Sequence, residues 1–345
     1  MKISSSRLTR RAGVALVAAV AAVALAACSS GAAGGTGSSS TPVAMQLNYL
    51  KNVQFAGSLV ALDKGYYAKQ GLDVTLTAGG PNLSVEPVVA SGKALVGITH
   101  TATAVNAIDN GAPLSIIGAG YQKNPFCIVS LAGKPISKPA DLIGKKIGVS
   151  ATNLPVWNAF LQANGIAQSQ VHTVTIDFDP TPLTTGEVDG FVAFYTNEPT
   201  ILEGKGIKVH TMLLNDFGYP LLEDVYIART ADLKNPAKRK EIVALMTAES
   251  KGWAAAVKDP KLSAELAVDK YGKSLKLDMT QQVEQATRQN DLVVSPTTTQ
   301  NGLFWMSKSD IDKTITSLKL GGSKATPSMF TDEILTDVAK GAASK

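Results

Sequence analysis

Residues 95–118 read LVGITHTATAVNAIDNGAPLSIIG, and this stretch decides the fold. Residues 95–99 form a short apolar run suited to a buried strand, and 102–110 carry helical spacing. Gly111-Ala112-Pro113 stops that helix, because Gly accepts the left-handed turn and Pro cannot continue the hydrogen-bond ladder. Residues 114–118 are again apolar and predict a second strand. Strand, helix and strand in this order predict a right-handed βαβ unit, the building block of parallel sheets. The alternation continues on both sides. Strands are expected at 43–50 and 72–77, with helices at 55–67 and 84–90. Beyond a Pro- and Lys-rich stretch at 133–146, a second series predicts strands at 147–150, 171–178, 190–194 and 208–214. Residues 225–228 read as a strand returning to the first series, and from Ala231 onward the pattern is helical. Asn235-Pro236, Asp259-Pro260 and Asp278 supply the helix starts, an acceptor side chain with or without Pro at the first position. No internal repeat is visible.

The N-terminus is of another kind. Lys2, Arg7, Arg10 and Arg11 precede an apolar, Ala-rich run at 12–27, shorter than the roughly 20 strongly apolar residues of a membrane span. A charged start, a short apolar core and small residues describe a secretory signal over 1–27. Leu25-Ala26-Ala27-Cys28 resembles the lipobox of bacterial lipoproteins, which implies cleavage before Cys28 and a lipid on its thiol. Residues 28–42, rich in Ser, Gly, Ala and Thr, are expected to be a flexible tether. The formal charge of +5 then falls to about +1, because 1–27 hold four cations and no acid (5 − 4). That leaves no basic stripe for nucleic acid. With Cys28 lipidated, Cys127 in the run Phe126-Cys127-Ile128-Val129 has no disulfide partner and is expected to be a buried thiol. The remaining 318 residues (345 − 27) exceed what one core organises, so two lobes are expected.

Two motifs carry a family resemblance. Gly65-Tyr66-Tyr67-Ala68-Lys69-Gln70-Gly71-Leu72-Asp73-Val74 resembles a signature of ABC-importer solute-binding proteins, and Asp141-Leu142-Ile143-Gly144-Lys145-Lys146-Ile147-Gly148-Val149 resembles the one that opens their second lobe. Gly186-Glu187-Val188-Asp189-Gly190-Phe191 and Thr196-Asn197-Glu198-Pro199 are similar to the SsuA/THI5-like (NMT1/THI5-like) branch. The resemblance implies an α/β, two-lobed, periplasmic-binding-protein-like (type II) fold, each lobe a mixed, mostly parallel sheet flanked by helices, with C-terminal helices packed on lobe one. Its expected boundaries are 43–130 for the first part of lobe one, 131–224 for lobe two, and 225–345 for the return and C-terminal helices. It also implies a monomer on the extracytoplasmic face of the cell membrane, anchored through Cys28. The implied partners are a small-molecule ligand and the permease and ATPase subunits, with no cofactor, metal or nucleic acid.

In such sheets ligands lie beyond the carboxyl ends of strands. The loops there nominate Tyr49, Asn52, Gln54, Phe55, Gly80, Asn82, His100, Thr101 and Tyr121 from lobe one. Lobe two offers Asn153, Trp157, Tyr195, Asn197 and Glu198, with Tyr219 at the edge. The aromatic side chains suit a flat heteroaromatic ring, and Glu198 suits a ring amino or N–H group. Among the solutes that the resemblance implies, these residues favour the heteroaromatic ones, a thiamine-pyrimidine precursor or a riboflavin-like vitamin. The alternative is a sulfonate, taurine or nitrate receptor, but the only arginines after the signal, Arg229, Arg239 and Arg288, lie outside these loops. A structural lipoprotein is the third class. An enzyme fits poorly: His100, His172 and His210 lack metal-ligand spacing, and Gly79-Gly80-Pro81-Asn82 lacks the Lys-Ser/Thr of a phosphate loop. The Cys-rich motif of the THI5 pyrimidine synthases has no counterpart either.

Overall fold

The computed structural model describes residues 40–80 and 83–343. The signal, Cys28 and all but the end of the tether lie outside the described residues, as does Asn82. Ten strands follow in chain order: β1 (Thr41–Gln46), β2 (Leu72–Thr77), β3 (Val96–Thr99), β4 (Leu114–Tyr121), β5 (Phe126–Leu131), β6 (Lys146–Val149), β7 (His172–Thr175), β8 (Gly190–Phe194), β9 (Val209–Leu213) and β10 (Glu223–Arg229). They form two five-stranded sheets, ordered β2-β1-β3-β10-β4 and β7-β6-β8-β5-β9. β10 pairs antiparallel with both β3 and β4, and β5 pairs antiparallel with both β8 and β9. Every other pairing is parallel. Four strands of each sheet therefore run one way, and the one that opposes them arrives from the other lobe. The two crossings are 122–125 and 214–222. Sheet membership thus changes ahead of Phe126, earlier than the expected boundary after 130, because Phe126-Cys127-Ile128-Val129 forms the first strand of the second sheet.

Local chemistry accounts for the elements. β2 alternates strictly, with Leu72, Val74 and Leu76 buried and Asp73, Thr75 and Thr77 exposed, the pattern of a half-covered edge strand. β4 lies at the opposite edge, yet it is buried throughout. Later segments cover that edge: Phe330 bridges Ile116, and the Ala119 N–H donates to the Phe304 carbonyl. Helix Pro236–Lys258 starts at the Asn235 side chain, which accepts from the N–H groups of Ala237 and Lys238. It packs on helix Ala56–Asp63 at a glycine crossing. A Cβ on Gly252 would lie 2.1 Å from the Gly57 carbonyl oxygen, so only glycine lets the backbones meet.

The other C-terminal helices divide between the lobes. Helix Glu333–Ala343 packs on Pro236–Lys258, and helix Met279–Val293 on the segment around Val53–Phe55. Helix Lys308–Leu320 is the exception to the expected placement on lobe one: it packs against helix Leu154–Ala163 of the second lobe. There the Ser317 hydroxyl donates to the Pro220 carbonyl, and Thr314 accepts the Leu222 N–H, fixing the second crossing. Among the described residues no helix is long and apolar enough to cross a membrane.

Candidate functional site

The carboxyl ends of both sheets face each other across a cleft, where the chain leaves β1, β3, β6, β7 and β8 and enters β10. Two adjoining cavities lie there, of about 350 Å³ and about 30 Å³, sharing Tyr49, His100 and Phe178. The smaller is closed by Gln54, Asn153, Phe194, Asn197 and Glu198. The larger runs along the starts of helices Val85–Ala90 and Thr101–Asp109, past Asn48, Gly80, Glu86, Thr99, Thr103 and Asn106, with Thr152 from lobe two.

Each wall follows from its local chain. The loop after β1 is aimed by Gly79, whose N–H donates to the Tyr49 carbonyl. A Cβ at Gly79 would sit 2.4 Å from the Leu47 carbonyl oxygen, so the two loops meet there only because 79 is glycine. At the entry to β10, Glu223 and Asp224 are both buried. Asp224 adopts a φ of +47°, a left-handed conformation that costs a non-glycine residue energy. That geometry turns its carboxylate toward Asn48 Nδ2 at 3.0 Å and Gln54 Nε2 at 2.9 Å. Glu223 accepts from the Thr101 N–H at 3.1 Å and lies 2.6 Å from His100 Nδ1. Glu86 accepts the Thr99 hydroxyl at 2.6 Å. From lobe two, Glu198 accepts the Phe194 N–H at 2.8 Å and the Asn197 amide at 3.1 Å. Aromatic rings join the lobes: Tyr49 meets Phe178 edge-to-face at 5.3 Å, and His100 lies 6.0 Å from Phe194.

Burial shifts the charges here. It pushes Glu198 up to about 7, against the bonds from the backbone and Asn197. It pushes Asp224 up to about 6, helped by the Glu223 charge and opposed by His100, Gln54 and Asn48. The Tyr49 hydroxyl rises to about 12 through burial and the charge of Glu198, with Asn197 opposing. For His100 burial acts downward, but the hydrogen bond and charge of Glu223, with the charges of Asp224 and Glu86, raise it above its ordinary value. Among the described residues no Lys or Arg lines either cavity.

Of the residues expected from sequence, the cleft brings together Tyr49, Gln54, Gly80, His100, Asn153, Asn197 and Glu198. Asn52 and Thr101 are buried behind it, Asn52 accepting the Gln54 N–H and Thr101 donating its hydroxyl to the Leu222 carbonyl. Phe55 belongs to the lobe-one core. Tyr121 is buried with its hydroxyl on Gln289. Trp157 and Tyr219 pack with Phe160 in the core, and the Trp157 indole donates to Thr173. Trp157 is therefore a packing residue of helix Leu154–Ala163, turned from the cavities by the apolar periodicity of that helix. Tyr195 is half-buried under the Arg288 guanidinium, 5.5 Å from its ring centre. Sequence reasoning missed Phe178, Phe194 and Glu86 as wall residues, and Glu223 and Asp224 as the buried pair that holds His100, Asn48 and Gln54. Phe178 ends the expected strand 171–178, at the carboxyl end where such sheets hold ligands, and Glu223-Asp224 is a paired acid directly before a buried strand. Both were legible signals.

Comparison with known proteins agrees with this architecture. The chain is 25% identical over 233 residues to a riboflavin-binding protein of Chloroflexus aurantiacus, covering 66% of this chain and 65% of that protein. It is 24% identical over 228 residues to a formylaminopyrimidine-binding protein of Halalkalibacterium halodurans, covering 63% and 67%. The chain thus spans just under two thirds of the first relative's length. A solved structure from Methylobacillus flagellatus, described as a periplasmic sulfonate-binding protein, superposes with a TM-score of 0.63 at 17% identity, covering 88% of this chain and 96% of that one. That likeness speaks for the fold alone. The NMT1/THI5 like family model matches residues 52–263, and with two βαβ-built lobes facing across a polar, aromatic cleft the chain belongs to that family.

Proposed function

We propose that this protein captures a small heteroaromatic solute, such as a thiamine-pyrimidine precursor or a riboflavin-like vitamin, for an ABC importer. In this reading it works outside the cytoplasm as a monomer held to the membrane by a lipid on Cys28, and it delivers its solute to permease and ATPase subunits. The carrying observation is the lining of the cleft: aromatic rings from both lobes, buried carboxylates and, among the described residues, no Lys or Arg. Flat rings stack on such faces, and ring amino or N–H groups find acceptors at the carboxylates. The relatives named for riboflavin and formylaminopyrimidine support the ring class.

The helix starts argue in the same direction. Helix N-termini are the usual anion sites of a cleft without cations. Here Glu86 occupies the first turn of Val85–Ala90, Glu198 that of Glu198–Gly204, and Glu223 takes the Thr101 N–H at the start of Thr101–Asp109. A second, anionic reading retains one observation: helix Leu154–Ala163 begins at the cleft with no acid in its first turn. The sulfonate-binding name of the structural neighbour keeps that reading in view. The reading as a receptor predicts no turnover.

Calorimetry of the full chain against riboflavin, a formylaminopyrimidine, taurine and nitrate tests the proposal, with Phe178→Ala beside the wild type. A ring compound is expected to bind, and Phe178→Ala to weaken it by roughly 0.5–1.5 kcal/mol beyond the lost area. Heat from taurine or nitrate alone would transfer the protein to the anionic class. Intact mass of the same membrane-derived preparation reads the lipid on Cys28.

A further inference from the structure

One base stands among the carboxylates of the cleft. His100 Nδ1 lies 2.6 Å from Glu223, whose carboxyl is wholly buried and whose other oxygen is held by the Thr101 N–H. Neither group can turn away, so Nδ1 carries a hydrogen toward Glu223. Asp224 and Glu86 add their charges to the ring, and Glu198 faces it across the smaller cavity from lobe two. Its other close neighbours, Phe126 at 5.5 Å and Phe194 at 6.0 Å, are apolar. Nε2 has no hydrogen-bond partner among the described residues, a fifth of the side chain is exposed, and the ring lines both cavities.

We propose that His100 is a specificity-determining residue of the cleft, donating its Nε2–H to a carbonyl oxygen or ring nitrogen of the captured solute, with Glu223 as the positioning residue that holds Nδ1–H. This rests on reading the cleft as a solute site. A single-tautomer imidazole bonded through Nδ1–H would offer a bare Nε2, so the donor role requires the doubly protonated ring. The surroundings supply the reason for that state. Glu223, Asp224 and Glu86 act on the ring and Glu198 faces it across the smaller cavity, and among the described residues no Lys or Arg lines the cavities to balance them. The cavities then offer Glu86 and Glu198 as acceptors beside a charged donor at His100, so they prefer a solute that carries an acceptor opposite its N–H groups over an isostere that lacks it. The ring's proton is held more tightly than that of an ordinary histidine, so the donor persists to higher pH than usual and is lost as pH rises through that raised value. Glu198, at about 7, ionises over a neighbouring range, so the pH profile is read in a Glu198→Gln background.

Nitrogen NMR of the labelled full chain tests the proposal without a ligand. The signals of His100 are assigned by their loss in His100→Gln. They are expected to show both ring nitrogens protonated at pH 7, and Glu223→Gln to move the titration to lower pH. A bare Nε2 at pH 7 in the wild type overturns the proposal. Calorimetry with riboflavin, a formylaminopyrimidine, taurine and nitrate adds the second arm. Whichever compound binds the wild type is expected to lose roughly ten- to a hundred-fold in His100→Leu and to regain part of that in His100→Gln, which keeps a donor. Equal affinity in all three proteins also overturns it. If only taurine or nitrate binds, and with the same dependence on His100, the heteroaromatic reading falls while the donor role stands. If none of the four binds, the spectrum alone decides.

Discussion

The two lobes share one strand order and divide the work of the cleft unequally. In each, three parallel strands lie beside an antiparallel strand from the other lobe, and a fourth parallel strand closes the sheet. Their cover differs. In the first lobe β4 is buried along its length and the C-terminal chain seals its edge, whereas β7 is mostly exposed and β9 half-buried in the second. Their contributions to the cleft differ in parallel. Lobe one supplies the charged side, with His100 and Glu86 on the cavities and Glu223 and Asp224 buried behind them, locked by hydrogen bonds among buried groups. Lobe two supplies Phe178, Phe194, Asn197 and Glu198, carried on loops, the end of β8 and one short helix. Fixed charges need a rigid, fully bonded frame, because an unpaired buried carboxylate is costly. Aromatic faces tolerate movement, and the lighter lobe carries them.

The largest test of the contrast lies in the lobe-one frame. Gly252→Ala would push a Cβ to 2.1 Å from the Gly57 carbonyl oxygen and is expected to cost about 3 kcal/mol in chemical unfolding. Gly204→Ala, at the end of a lobe-two helix with nothing within 4 Å of its would-be Cβ, is expected to be neutral or to stabilise by about 0.5 kcal/mol. Equal losses would remove the distinction in rigidity.

A smaller effect comes from Glu198. Its carboxyl keeps a proton in the folded protein up to about 7, whereas the unfolded chain releases it near 4.5. Folding therefore binds a proton between those values, and stability falls as pH rises through them and levels off above. The loss is at most about 3 kcal/mol, and Glu198→Gln should flatten that part of the curve. Asp224, raised for the same reason in lobe one, leaves a residual slope of the same sign. An unchanged curve in Glu198→Gln would mean that the carboxyl is ionised throughout.

The smallest effect lies where the lobes touch away from the cleft. Arg288, on helix Met279–Val293, reaches Glu203 of lobe two and covers Tyr195. Both ends of this ion pair are partly exposed, so Arg288→Ala is expected to cost about 0.5 kcal/mol or less. Its sharper readout is small-angle scattering, where the ligand-free protein should expand if the pair helps hold the lobes together.

Much of this molecule is set by local sequence. The βαβ alternation, the helix starts at Asn235 and Asp278, and the motifs around Gly65–Val74 and Asp141–Val149 led to two parallel-rich lobes, since period and capping depend on neighbours a few residues apart. The loops after the strands were legible too, and His100, Glu198, Tyr49 and Gln54 came from them. Which side of a loop or helix meets the cleft was not. Trp157 sits on a nominated loop's helix and faces the core, while Phe178 two loops away faces the cavity. Only the tertiary structure decided that β5 joins the sheet of the second lobe, that helix Lys308–Leu320 packs there, and that Glu223 and Asp224 reach His100, Asn48 and Gln54. The physical reason is separation along the chain: more than a hundred residues divide Glu223 from His100, and no local preference carries across that distance. Such pairs form only when the packing of both sheets brings their strand ends to one place.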